Sequence, residues 1–113
     1  MASRLGCAVL MFGIGLAADG LADGDPKNGR KLATEYSCAQ CHGPDGNARS
    51  TKFQPVPMLA GQPTSYLVQE MQNYATGRRE DLSKNARMSD LLRKLSDKDM
   101  EDLGAFYEAQ KRY

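Results

Sequence analysis

Two cysteines set three positions apart and followed directly by the chain's only histidine, Cys38-Ala39-Gln40-Cys41-His42, constrain this sequence more than any other feature. This is the C-x-x-C-H pattern of covalent c-type haem attachment. The spacing has a chemical reason. Two thiols about one helical turn apart reach the vinyl groups of neighbouring pyrroles and become thioethers, while the adjacent imidazole turns beneath the iron. Three other uses of these residues fit less well. A structural zinc ion wants four Cys or His ligands, whereas the chain beyond Cys7 offers only Cys38, Cys41 and His42, two of them adjacent. A thioredoxin-type redox pair wants a strand–helix setting that the periodicity does not supply. A Cys38–Cys41 disulfide would staple only a tiny loop. Cys38 and Cys41 are therefore assigned to covalent attachment of one haem c and His42 to its iron, and no second imidazole is available for the opposite axial position.

The chain has 113 residues, room for one domain. Its N-terminus carries Arg4, then an apolar stretch from Leu5 to Ala18, then small residues and the polar run Asp19 to Pro26. That order predicts a secretory signal peptide over residues 1–22, cleaved after Ala18 or Ala22, and a folded domain over residues 23–113. The apolar stretch is short of the roughly 20 residues that span a bilayer. An uncleaved membrane anchor facing the periplasm is the alternative to a periplasmic protein. A domain of this size buries a modest fraction of its surface and usually needs a disulfide, a metal or a large cofactor. With 15 basic and 14 acidic side chains and a net charge of +1, no basic face for nucleic acid is visible.

Along the domain, Leu32, Ala33 and Tyr36 fall at helical spacing and predict a helix over 27–36 that delivers Cys38 at its end. Gly43, Pro44, Gly46, Pro55, Pro57 and Gly61 then break every periodicity, predicting a long loop that something other than chain must pack against. Pro63 opens a middle helix with Leu67, Met71 and Tyr74 on one face and Gly77 as its stop. After a charged loop over 78–87 comes a short helical stretch over 89–94. Ser96 and Asp99 form a carboxylate capping box for a last helix running to about Arg112, with Met100, Leu103, Phe106 and Tyr107 as its apolar stripe. Gly104 within that helix predicts close approach of another backbone. No segment alternates as a strand. The fold class is all-α, with Leu59, Leu67, Met71, Leu91, Leu92 and Leu95 expected around pocket and core. Met71 and Met100 lie on apolar helix faces, which leaves Met58 and Met88 as candidates for the sixth iron ligand.

The combination of Cys38-Ala39-Gln40-Cys41-His42-Gly43 with Pro57-Met58-Leu59-Ala60-Gly61-Gln62, Tyr66-Leu67, Gly77-Arg78-Arg79, Met88, Leu95-Ser96-Asp97 and Leu103-Gly104-Ala105-Phe106-Tyr107 resembles the class I cytochromes c, especially small bacterial periplasmic monohaem ones. The resemblance covers roughly residues 25–110. It implies first and last helices that cross closely, with Gly29 facing Phe106, and a middle helix and long loops around one haem. It also implies that the Pro57 carbonyl accepts from His42, that Leu59 rests on the haem and that Met88 is the sixth ligand. Met58 stands where the family often has asparagine. Tyr66, Arg78 and Arg79 are candidates for the haem propionates, against a plain solvated cluster. A His–Met iron has no free position for a substrate, so the implied function is single-electron transfer between transient redox partner proteins, not catalysis. The alternative is a haem subunit of a dehydrogenase such as a flavoprotein.

Overall fold

In the computed structural model, which describes residues 24–113, Asp25 caps the first helix, α1 (Pro26–Glu35), by accepting from the Lys27 N–H. Pro26 takes the first helical position, where an N–H would have no intrahelical partner. One turn of helix, α2 (Ala39–His42), follows, and then a long irregular loop. The middle helix α3 (Thr64–Thr76) begins one residue after Pro63 and stops at Gly77, whose φ of +81° is the left-handed conformation that suits glycine. A 3-10 turn (Lys84–Ala86) leads into α4 (Arg87–Leu92), and α5 (Asp97–Glu108) closes the element order. No strand occurs among the described residues, so the all-α expectation holds. The expected signal peptide over residues 1–22, with Cys7, lies outside the described residues.

The helices make one frame. Leu32 and Ala33 of α1, Leu67 of α3, Leu92 of α4 and Met100, Leu103, Phe106 and Tyr107 of α5 are all buried in a single cluster. The α1–α5 crossing depends on Gly29, because a Cβ there would lie 1.9 Å from the Asp102 carbonyl oxygen and 2.8 Å from Phe106 Cβ. Gly104 plays the same part against α3, where the nearest atoms belong to Thr64. Asp102 seals the crossing with a buried carboxylate that accepts from the Asp25 N–H at 2.7 Å, from Asn28 Nδ2 at 2.7 Å and from Lys98 Nζ. Burial alone would raise its pKa, but these donors outweigh burial and hold it below the usual carboxylate range.

At the start of α5, Ser96 Oγ accepts from the Asp99 N–H and Asp99 Oδ2 accepts from the Ser96 N–H, so the expected capping box is present. Its end differs from expectation, at Glu108 rather than near Arg112. The reason is long-range. Asn47 Nδ2 donates to the Lys111 carbonyl, the Tyr113 N–H donates to Asn47 Oδ1, and Arg49 donates to the Tyr113 carbonyl. These bonds draw the last residues off the helix axis and onto the loop that follows α2.

Candidate functional site

At the end of α1, Ser37 adopts a left-handed φ of +58°, uncommon for a residue with a side chain, and turns the chain so that the Cys38 N–H returns to the Ala33 carbonyl. α2 then carries Cys38, as its N-cap, and Cys41 and His42 within one helical turn. The two thiols are free, so no disulfide joins them. Burial raises the Cys38 pKa, with the Tyr107 hydroxyl in hydrogen-bonding contact opposing it, so the thiol is protonated near neutrality. Among the described residues no three His, Cys, Asp or Glu side chains converge to hold a metal ion by themselves, which goes against the zinc reading.

His42 is 5% exposed, and its Nδ1–H donates to the Pro57 carbonyl at 3.1 Å. That bond fixes the tautomer and leaves Nε2 with its lone pair, and Nε2 has no hydrogen-bond partner among the described residues. Burial lowers the ring's pKa and the Pro57 carbonyl opposes this only in part, so the imidazole is neutral at pH 7.

The loop that carries Pro57 is held by backbone bonds to its own base. The Ala48 N–H donates to the His42 carbonyl, while the Leu59 and Ala60 N–H groups both donate to the Gly46 carbonyl. Gly46 has φ +81°, and a Cβ there would meet Tyr107 Cδ1 at 2.7 Å, so no other residue fits.

Cys38, Cys41, His42, Pro57 and Met88 line one cavity of about 660 Å³, within the range of cofactor sites. Tyr36, Phe53, Val56, Leu82 and Leu91 complete most of its apolar wall. Phe53 and Leu82 are largely exposed at its mouth, and neither was singled out by helical spacing because both lie in loops. Leu59 is not among the lining residues. It packs against the core cluster, because its backbone pairing with Gly46 anchors it at the base of the loop. Of the other candidate methionines, Met100 is 3% exposed within the core, Met71 packs against that core, and Met58 is not among the lining residues.

Tyr66, Arg78 and Arg79 do not line the cavity either. Arg79 pairs with Glu70 of α3 at 2.7 Å and lies over the Tyr74 ring at 4.8 Å, so its charge is already matched.

The donor set suits an iron porphyrin. Two thiols, one neutral imidazole with an unused nitrogen and one thioether share a cavity with an apolar wall, and the imidazole is fixed by a backbone carbonyl.

Comparison with known proteins agrees. The family model described as Cytochrome c matches residues 26–109. A cytochrome c4 of Pseudomonas aeruginosa is 37% identical over 102 residues, covering 90% of this chain and 46% of the relative. Cytochrome c-554(548) of Halomonas halodenitrificans is 34% identical over 74 residues, covering 66% of this chain and 84% of the relative. Among solved structures, reduced recombinant cytochrome c4 from Pseudomonas stutzeri superposes with a TM-score of 0.63 at 35% identity, covering 80% of this chain and 47% of that one. The chain thus spans about half the length of the cytochrome c4 proteins it matches.

Proposed function

The chain belongs to the cytochrome c family, whose members carry covalently attached haem c, and from that premise we propose that it is a monohaem electron carrier with His42 and Met88 as axial ligands. The observation that carries this reading is the convergence of both thiols, the sole histidine and one methionine on a single apolar cavity. Bound haem supplies an iron that takes up and releases one electron.

The chain's own residues do the rest. Cys38 and Cys41 hold the group as thioethers. His42 presents Nε2, and the Pro57 carbonyl keeps its ring from turning. Met88 offers a thioether, which would favour the reduced state, and the apolar wall that includes Val56 and Leu91 would limit water at the metal and act in the same direction. With His42 and Met88 both offering a ligand to the iron, no position would be left for a substrate, which supports a carrier over an enzyme. The relatives are cytochromes, and none is a dehydrogenase subunit by name, so the subunit reading is not favoured.

The Leu5–Ala18 pattern supports export, cleavage near Ala18 or Ala22 and a periplasmic site of action with transient redox partners. No helix among the described residues is long and apolar enough to cross a membrane.

The optical spectrum of the haem-loaded protein tests the axial assignment. The ferric protein should show the weak far-red band the family displays for thioether ligation. Met88→Ala should abolish that band, lower the potential and speed carbon monoxide binding to the ferrous form, while Met58→Ala should leave the band in place. A wild-type protein without the band that binds carbon monoxide readily would instead mark an open iron site.

A further inference from the structure

Met88 sits at the second position of α4, and the backbone leading into it holds two of the three left-handed non-glycine residues among the described residues. Asn85 and Ala86 are successive left-handed residues, with φ of +57° and +51°. Ala86, the N-cap, has no side chain able to accept from the first turn. A six-residue helix with an uncapped start and a left-handed alanine is poorly determined by its own sequence. The missing cap comes from the preceding loop. Asp81 Oδ2 accepts from the Ser89 N–H at 2.7 Å. Its other oxygen, Oδ1, accepts from the Ser83 N–H at 2.9 Å and from the Ser83 hydroxyl. Ser83 Oγ in turn accepts from the Met88 N–H at 3.1 Å. The orphan amides of Met88 and Ser89 are thus both satisfied, one directly by Asp81 and one through Ser83.

We propose that Asp81 is a positioning residue for the sixth ligand, fixing the Met88 backbone through Ser83 and Ser89 so that the thioether is held at the iron. The proposal rests on the reading of Met88 as a ligand. Asp81 does not itself line the cavity and has no direct bond to Met88; it acts through Ser83, which does line the cavity, and through Ser89. The same bonds account for a carboxylate held below its usual pKa range, since they outweigh the opposing effect of burial.

The test uses the haem-loaded full chain and compares Asp81→Ala, Ser83→Ala, Ser83→Thr and Met88→Ala well below their melting midpoints. Asp81→Ala should weaken the far-red ferric band and speed carbon monoxide binding to the ferrous form on the order of tenfold, as expected when charge-assisted bonds that favour one geometry are lost. Far-ultraviolet circular dichroism should stay close to wild type. Ser83→Ala should move both readouts the same way by less, and Ser83→Thr, which keeps the hydroxyl, should restore them. If Asp81→Ala and Ser83→Ala lower the melting midpoint but leave band and carbon monoxide rate as in wild type, the network is merely structural and the proposal falls. If Asp81→Ala does not fold, the Ser83 pair decides by the same readouts. Retention of the band by Met88→Ala would remove the ligand reading and the proposal together. Its loss there but not in the Asp81 and Ser83 variants overturns the proposal alone.

Discussion

The α1–α5 crossing and the wall of the cavity solve the same problem by different means. At the crossing the chain satisfies itself: Gly29 lets the two backbones touch, Phe106 packs against it, and Asp102 collects donors from Asp25, Asn28 and Lys98. Around the cavity the contributors come from the turn after α1, from α2 and α4, from the 3-10 turn and from two loops. Phe53 and Leu82 stand largely exposed there, and the loops are tied locally by small polar knots such as Ser50 with Val56 and Asp81 with Ser83. The helical frame is thus tied by contacts between its own side chains, whereas the loops present an apolar wall to a group other than chain. A domain this small needs such a group to complete its core.

The comparison breaks most sharply at the attachment site. Cys38→Ala with Cys41→Ala should yield protein from which acid–acetone removes all haem, and the apoprotein should lose cooperative melting. An apoprotein that keeps native-like helical circular dichroism and melts cooperatively would show that the frame needs no cofactor at all.

At the crossing, Gly29→Val should cost upwards of about 3 kcal/mol in denaturant unfolding, because the new side chain collides with backbone, not with a side chain able to move. Any holoprotein that does form should keep its normal visible spectrum, since the damage is remote from the cavity.

Asp102→Asn should cost about 2 kcal/mol at neutral pH through loss of a buried charge-assisted network. The pH dependence sharpens this. A carboxylate with a depressed folded pKa contributes fully above its unfolded value of about 3.9, and the contribution is lost as pH falls through the folded value. Wild-type stability should therefore fall below about pH 4, and the variant should lose part of that slope.

The smallest effect is expected at Arg79→Ala, no more than about 1 kcal/mol, because the Glu70 pair is partly exposed. The reduction potential should stay near wild type. A large drop in potential would assign Arg79 to the haem propionates despite its pairing with Glu70.

What could be read without coordinates was whatever depends on near neighbours. The attachment motif, the caps at Ser96 and Gly77, the buried stripe of α5 and the close approach at Gly104 follow from helical period and residue chemistry, the close crossing at Gly29 from the family resemblance, and the structure has each in place. Loop destinations were not legible. The family resemblance that makes Leu59 and Arg79 candidate haem contacts says nothing of Gly46 or Glu70, with which those two residues pair. Asp81 carries one faint signal, the Asp-x-Ser step that makes an Asx turn, yet its bond to Ser89 spans eight residues and a left-handed kink. The sequence by itself determined the helices and the attachment chemistry, because these are set within one or two turns of chain. Only the tertiary structure decided which methionine shares a wall with Cys38 and His42 and which carboxylate orders its approach, because side chains on irregular backbone are aimed by contacts far away along the chain.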